Sequence, residues 1–540
     1  MSRDPTNAEI ADRLSAFATL LELADTSPFA VRAYARAAEL VRSSPASVAE
    51  LVRTGRARDL RGVGPSIEAK LRELVETGEI AELDELERDV RPELVAYARL
   101  IGVSTGRMLA IAKALDLATV AEFREAVRGG RLLEVRGIGP ATEEAIRDAV
   151  ARGGSDRRGL TIARSREVAG QIAAELGGEI AGAARRFCEL SYELVVVCAF
   201  PDASEMVERF ARLPLIVTVL ERRDHGATGL TVDGVLAELF VAPPASFGTA
   251  LVRATGSPAY VESLGSLPDA ASEEELFARL GLDFVPPELR EDAGSTAPVG
   301  LVGRGDIRGD LHCHTTASDG RSTVHEMALA AIERGYEYLA ICDHTPSVGV
   351  VPGLDTEALR RQAEEIARVN ELVAPFRVLR GVECDIRPDG TLDAEDAVLA
   401  ELDWVQLSLH AGQRRSSSEL TRIVSEAMRH PAVRALSHPK GRILNRRPEN
   451  ALDLDEIFEV AKEAEVALEV NGLPDRLDLS ATHVAEALAA GVELVLNSDA
   501  HSAQGLERLD LALATARKGS ATTTSIVNCR PLADVVSQRG

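Results

Sequence analysis

Nine residues in the last third of the chain have side chains suited to holding cations: His312, His314, Asp319, His344, Glu383, His410, His438, Asp499 and His501. Neutral imidazoles and carboxylates together suit zinc, manganese or iron. A cluster of such cations would acidify water toward neutral pH and neutralise phosphate oxygens, which is the chemistry of phosphoester hydrolysis. Glu383, Asp499, His312 and His314 are the expected catalytic centre of the set. Lys440 and Arg442, just beyond His438, are candidate phosphate clamps, because basic groups beside such a centre can bind the anion. The alternative for both is a solvated loop.

These residues are spread over nearly two hundred positions, so the fold must gather them. From Asp310 onward apolar strand-like runs alternate with helical ones, as in a parallel α/β fold. Asp310-Leu311-His312 starts the series, followed by YLAICDH ending at His344, FRVLRGVE at Glu383 and WVQLSLH at His410. VRALSH ends at His438, VALEVN at Asn471, and ELVLNSDAH carries Asp499 and His501. Six of these seven candidate strands end in or just before a metal-capable residue. In a parallel barrel those ends share one face. In His312-x-His314 and Asp499-x-His501 alternate strand residues point the same way, so each pair can face one cation. The chain has ten histidines, and six fall at these ends, while His225, His325, His430 and His483 do not.

The motifs DLHCHTTASDG, ICDHTPS, GVECDI, LSLHAG, SHPKGR and NSDAHS resemble the PHP (polymerase and histidinol phosphatase) domain, over about residues 308–520. The resemblance implies a distorted (β/α)7 barrel with up to three divalent metals, Mn²⁺ or Zn²⁺, with Fe²⁺ as a further candidate. It implies that His312, His314, Glu383 and Asp499 hold one metal. Glu383, bridging, would hold a second with His410 and His438, and Asp319, His344 and His501 a third.

Residues from about 6 to 150 read as helices, with apolar positions recurring at three and four spacing. Two loops, Arg61-Gly62-Val63-Gly64-Pro65 and Arg136-Gly137-Ile138-Gly139-Pro140, each precede an amphipathic helix, and Ile101-Gly102-Val103 begins a degenerate third copy. A Gly-apolar-Gly turn at a helix start exposes backbone N–H groups to phosphate. Gly62, Val63, Gly64, Gly137, Ile138 and Gly139, with Lys70, are therefore candidate contacts to a DNA backbone. The alternative is a pair of tight helix–helix turns that need glycine.

This region resembles the helix-hairpin-helix domain of X-family DNA polymerases of the bacterial and archaeal type (PolX). ADTSPFAVRAYARAAELV looks like its opening helices, and Lys70 falls where lyase-active relatives hold a Schiff-base lysine. Residues 160–290 mix strands and helices and extend the resemblance through an α+β palm and a small thumb. LGLDFVPPELRE resembles the end of the thumb. In GAARRFCELSYELVVV, Arg185 and Arg186 match the palm motif, and Thr255-Gly256-Ser257 is also retained. The family's Asp-x-Asp is replaced by Glu193-Leu194-Val195, and its third aspartate by Glu238. Valine cannot ligate a metal, and a longer glutamate displaces any ion by on the order of 1 Å. No Mg²⁺-dependent nucleotide addition is expected from this palm.

The expected division is thus 1–90 and 91–158 for two helical DNA-binding segments, 159–250 palm-like, 251–292 thumb-like, 293–307 linker and 308–540 the PHP domain. The expected function is that of a DNA phosphoesterase, a 3′–5′ exonuclease or 3′-end processing enzyme of DNA repair. The alternatives are a small-molecule phosphatase resembling histidinol phosphatase, and a non-catalytic DNA-binding scaffold. Structural metal sites use fewer, closed ligand sets, which argues against the last.

Composition limits the remaining classes. The chain has 540 residues, is 45% hydrophobic and carries a net charge of -24, which excludes wholesale wrapping of nucleic acid. Residues 1–150 carry 21 basic and 25 acidic groups, residues 151–308 carry 16 and 23, and residues 309–540 carry 24 and 37. The acidity is thus concentrated where the cations are expected. No apolar run approaches a membrane span and MSRDPTNAEIADRL lacks a signal-peptide core, so the expected location is the cytoplasm. The six cysteines form no CxxC pair, so neither a zinc ribbon nor a disulfide framework is expected. No protein partner is inferred.

Overall fold

The computed structural model describes residues 5–23, 28–42, 44, 47–60, 62–83, 91–153, 159–349 and 351–537. Arg61 and part of the ADTSPFAVRAYARAAELV segment lie outside the described residues. The chain divides into two compact units. One comprises Met1–Arg158, Val207–Arg223 and Ala227–Ala237, and the other Gly159–Met206, Asp224–Gly226 and Glu238–Gly540. No described helix is long and apolar enough to cross a membrane.

The first unit is largely helical. Helices Pro65–Thr77 and Pro140–Arg152 begin with proline at the first turn, where no N–H partner is lost. Each ends at a left-handed glycine, Gly78 and Gly153. Thr119 and Glu122 form a reciprocal capping box at the start of Val120–Arg128. Two apolar cores result. One gathers Leu14, Phe17, Val63, Ile67 and Leu71, and the other Tyr97, Ile111, Phe123, Leu132 and Ile146.

In the second unit, seven strands form one sheet. They are β1 (Gly309–Cys313), β2 (Tyr338–Ile341), β3 (Arg377–Asp385), β4 (Trp404–Ser408), β5 (Val433–Leu436), β6 (Ala467–Asn471) and β7 (Leu494–Asn497). Each pairs in parallel with the next in sequence. Between β1 and β7 a parallel bridge joins Cys313 to Ala500, and His314 N–H donates to the Ala500 carbonyl at 2.8 Å. The strands thus close into a barrel, with helices in the crossovers such as Val324–Glu333, Thr356–Val373 and Leu454–Ala464.

Alternation assigns the two faces. Leu339 and Ile341 pack with the helices. Tyr338, Ala340 and Cys342 pack with Leu311, Ala435 and Ala467 in a separate cluster. Both faces are buried, so the strands read as nearly continuous apolar runs.

The same unit contains the thumb-like segment and most of the palm-like one, whose residues 207–223 and 227–237 belong to the first unit. Strand Glu179–Ala181 pairs antiparallel with Glu193–Ala199, placing Ala181 opposite Val195. In the thumb-like part Arg290 is fully buried. It is ion-paired to Glu273 at 2.6 Å, and its guanidinium lies 5.3 Å from the Phe277 ring centre and 5.4 Å from that of Phe284. Arg517, on helix Leu509–Lys518 of the barrel, binds Glu288, and Lys518 binds Glu291 at 2.6 Å. The thumb-like segment is therefore fastened to the barrel by ion pairs.

Candidate metal centre

All nine candidate ligands lie on or just beyond the C-terminal ends of the barrel strands, and their donor atoms meet. His314 Nε2 is 3.2 Å from both His312 Nε2 and Asp499 Oδ1. Glu383 is central: its Oε2 lies 2.8 Å from His344 Nδ1, 3.5 Å from His312 Nε2 and 3.6 Å from His314 Nε2. Its Oε1 lies 3.1 Å from His438 Nε2 and 3.6 Å from His410 Nε2. At the rim, Asp319 Oδ2 is 3.2 Å from His501 Nε2 and 3.5 Å from His344 Nε2.

The set fits divalent cations. Ligands at about 2.0–2.1 Å from a tetrahedral ion stand about 3.3 Å apart, close to these separations. Three groups have donor atoms within 4.8 Å of one another: His314, Asp319, His344 and His501; His312, His314 and Asp499; and His344, Glu383 and His410. The partition differs from the expected one: His314 also belongs to the rim group, His344 joins Glu383 and His410, Glu383 is absent from the group of His312, His314 and Asp499, and His438 is in none of these three. Buried ring nitrogens supply an independent sign. His314 Nδ1 and His438 Nδ1 have no hydrogen-bond partner, a costly state that a bound cation relieves for a nitrogen facing it.

The electrostatics keep the acids ionised. Burial alone would raise Glu383, but the neighbouring His344, His312 and His410 charges hold it well below the usual carboxylate range. Burial likewise opposes the ionisation of Asp499, and the neighbouring His312, His314 and His501 outweigh that penalty. Asp319 is held down against burial by His344 and His501. Ionised acids are the form that ligates.

A surrounding layer fixes the imidazoles. His312 Nδ1 lies 2.7 Å from Glu469 Oε1, and His410 Nδ1 lies 2.9 Å from Asp385 Oδ1. His501 Nδ1 donates to the Asp499 carbonyl at 2.9 Å, leaving Nε2 for the centre. Asp343 accepts from the Thr315 N–H at 2.8 Å and from Gln362 Nε2 at 2.5 Å, beneath the His344 loop. Sequence reasoning missed Glu469, Asp385 and Asp343. His438 and Asp499 adopt left-handed backbone (φ 25° and 51°), strain of the kind that packing tolerates at functional sites.

The expectation for Lys440 and Arg442 is corrected. Both are buried, at 7% exposure, with their polar ends committed. Lys440 Nζ donates to the Leu452 carbonyl at 2.9 Å. Arg442 forks onto Glu189 at 2.6 and 3.1 Å and donates to the Arg476 and Leu477 carbonyls. They brace the loop after His438 against the palm-like segment rather than face a substrate.

The two glycine hairpins have one geometry. Val63 N–H donates to Leu60 and Ile138 N–H to Val135, at 3.0 and 3.1 Å. Gly62 and Gly137 have φ of 109° and 92°, which only glycine adopts freely. Gly64 and Gly139 each cap the following helix. A Cβ added at Gly64, Gly137 or Gly139 would meet nothing within 4 Å, so those turns are open to an incoming backbone. Lys70 is less available: its ammonium lies 3.2 Å from Glu73 and 3.1 Å from Glu82. Burial lowers its pKa, but the two carboxylates raise it further.

In the palm-like segment Glu193 is exposed and Glu238 half-buried, whereas Val195 packs with Ala181, Val197 and Leu251. Arg185 is bidentate to Glu273 at 2.6 and 2.8 Å, and Arg186 pairs with Glu291 at 3.0 Å. Ser257 caps helix Pro258–Ser263.

Comparison with known proteins agrees with this geometry. The family model of the helix-hairpin-helix domain matches residues 5–80 and that of the PHP domain residues 310–473. Over 98% of its length the chain is 31% identical to the DNA polymerase/3'-5' exonuclease PolX of Bacillus subtilis (strain 168), of which it covers 98%. The chain belongs to the PolX family. Over 43% of its length it is also 28% identical to a probable phosphatase of Photobacterium profundum and 31% identical to one of Shewanella loihica, covering 94% of each. PolX membership accounts for the hairpins and the barrel in one polypeptide. It also makes the chain an enzyme of the polymerase or phosphoesterase kind that acts on DNA.

Proposed function

We propose that this PolX chain hydrolyses phosphodiester bonds at DNA 3′ ends on the rim of the barrel, with DNA held by the hairpin turns, and that its palm-like segment no longer adds nucleotides. The observation that carries the reading is the convergence of six imidazoles and three carboxylates on the strand ends, with neighbouring donor atoms 2.8–3.6 Å apart. Divalent cations held there, Mn²⁺ or Zn²⁺ among the candidates, would supply Lewis acidity toward phosphoryl oxygens and acidify a water.

The chain's own groups do the rest. Glu383 and Asp499, buried and ionised, concentrate negative charge that attracts cations to the centre. Glu469 and Asp385 hold the His312 and His410 rings so that each Nε2 points inward. His501 and His410, at 31% and 21% side-chain exposure, stand where a DNA end would enter. The deeper His312 and His314 exclude bulk water.

Loss of polymerisation is supported by the apolar packing of Val195 and by the capture of Arg185 and Arg186 by glutamates, which occupies two cations that would otherwise meet a triphosphate. The expected domain boundaries are proposed with it. A second reading, a small-molecule phosphatase, draws on the likeness to probable phosphatases, but it leaves the hairpins without a use.

Incubating the purified protein with Mn²⁺ and either a 3′-labelled oligonucleotide or histidinol phosphate separates the two. Release of the labelled nucleotide is expected, and exclusive release of inorganic phosphate from histidinol phosphate would overturn the DNA reading. His344→Ala, which removes an imidazole shared by two ligand groups, should lower either activity by more than about 100-fold, beyond the effect of losing an outer partner. Activity near wild type would place the chemistry elsewhere.

A further inference from the structure

The loop that leaves β5 at His438 runs Pro-Lys-Gly-Arg-Ile-Leu-Asn-Arg-Arg, with four basic residues in a domain that is strongly acidic overall. Lys440 and Arg442 are spent on protein partners. The other two, Arg446 and Arg447, are not. Ile443 and Arg447 exchange backbone hydrogen bonds at 2.8 and 2.9 Å, closing a small hairpin whose exposed end carries Arg446. Leu444 N–H donates to the Asp475 carbonyl at 2.7 Å and Arg442 Nε to the Arg476 carbonyl at 2.9 Å. These bonds press the hairpin onto the turn that follows β6 and bring a third arginine, Arg476, beside it.

The three guanidinium groups have no acid that satisfies them. Among the described residues, no hydrogen bond or ion pair is made by the Arg446 or Arg447 side chain. Arg476 Nη1 is buried without any partner. Asp478, a carboxylate whose charge reaches Arg447 and Arg476, bonds neither: it accepts from Lys440 N–H through Oδ1, while its Oδ2 is buried and unbonded. Burial and the neighbouring Arg476 charge pull the Arg447 guanidinium downward from its ordinary range, with Asp478 opposing them only in part. Two arginines side by side, one with an unpartnered buried N–H, are disfavoured unless an anion lies between them. The planar fork of arginine matches a phosphate.

We propose that Arg447 and Arg476, with Arg446 at the outer edge, form a phosphodiester subsite that grips the DNA strand a few nucleotides from the end being hydrolysed. The proposal rests on the DNA phosphoesterase reading, because the ligand is the same strand. Inorganic phosphate or a mononucleotide offers the same chemistry, and strand length separates the sources.

The test uses the full chain with Mn²⁺ and single-stranded oligonucleotides of two and twelve nucleotides. In wild type KM is expected to fall with length, and no fall overturns the subsite. In Arg447→Gln the KM for the twelve-mer should rise about tenfold. The ratio of the two KM values should move toward one, and the salt dependence of twelve-mer binding should lose about one unit of log–log slope. Arg447→Lys, which keeps the charge but not the fork, should fall between them. Arg361→Gln, on an exposed helix and paired only to Glu357, is the surface-charge control. An unchanged twelve-mer KM overturns the subsite. So does an equal loss at both lengths, which would indicate a folding defect, checked by thermal melting. If wild type hydrolyses no oligonucleotide, the DNA reading fails first. Fluorescence anisotropy of a labelled twelve-mer then decides the subsite alone, since equal binding by wild type and Arg447→Gln overturns it.

Discussion

Glu469→Gln is the substitution whose consequence can be worked out most fully. The Glu469 carboxylate is fully buried and receives five donors. Oε1 takes His312 Nδ1 at 2.7 Å, Asn497 Nδ2 at 2.9 Å and Gln406 Nε2 at 3.1 Å. Oε2 takes His438 N–H at 2.8 Å and Asn471 Nδ2 at 3.1 Å. An amide in the same place keeps one acceptor oxygen. Its NH₂ must therefore face at least two of these donors, each unsatisfied group costing about 1–3 kcal/mol, or about 2–6 kcal/mol in all. Either orientation disturbs a ligand: His438 through its backbone, or His312 through its ring. Losing an outer partner of a metal-bound histidine typically lowers metal affinity 10–100-fold, about 1.4–2.7 kcal/mol. The expected loss lies toward the upper end, because two ligands depend on the one carboxylate. Isothermal titration of the metal-free protein with Mn²⁺ reads the affinity, and circular dichroism checks that the variant is folded. A folded Glu469→Gln protein that binds Mn²⁺ as wild type does would refute the claim that this carboxylate positions the centre.

The thumb–barrel fastening gives a pH prediction. Burial pushes the Glu291 carboxyl up, but Lys518, Cys188 and Arg186 hold it at about 2. The unfolded value is about 4.3, so this stabilisation is whole above about pH 5 and is lost as pH falls through about 2. Glu291→Gln should melt lower than wild type at neutral pH, with the gap closing on acidification; a gap independent of pH would contradict the pairing. Primer extension with Mg²⁺ and nucleotides should yield no product, and normal extension would sink the inactive-palm reading. Val195→Asp should not restore it, and it should cost on the order of 3 kcal/mol in stability, because the new carboxylate replaces an apolar group packed on Ala181, Val197 and Leu251. Borohydride reduction in the presence of abasic DNA should trap no adduct on Lys70, since Glu82 and Glu73 keep its amine protonated; a trapped adduct at that residue would show the amine to be free.

The convergence of the nine residues was legible because its signal is positional. A histidine or carboxylate at the end of six of the seven apolar runs needs only the rule that parallel strands share a face, and β1 to β7 obey that rule. The outer layer left a weaker trace. Glu469 sits inside VALEVN and Asp385 inside GVECDI. A charged residue within a strand buried on both faces must have partners, and that criterion alone could have singled out both. Lys440 and Arg442 show the opposite failure. Sequence counts their charges but not the direction of their tips, and Arg442 finds its carboxylate more than two hundred residues away, at Glu189. The Arg290–Glu273 pair and the Glu291–Lys518 contact were invisible for the same reason. The hairpins fell between these cases. Their glycines announced the turn and the positive φ, whereas nothing local indicated that Lys70 would meet Glu82.

Charge explains how an acidic chain can act on a polyanion. Residues 309–540 carry thirteen more acidic than basic groups, and cations at the centre would offset only part of that excess. At physiological ionic strength, repulsion is screened beyond about 8 Å, so what DNA meets is set by the groups immediately around it. On the proposed reading those groups are few: open backbone turns at Gly64 and Gly139, and guanidinium groups on the loop after His438. On that reading affinity rests on a handful of local contacts, which suits a strand end threaded toward the rim without laying a long backbone against acidic surface.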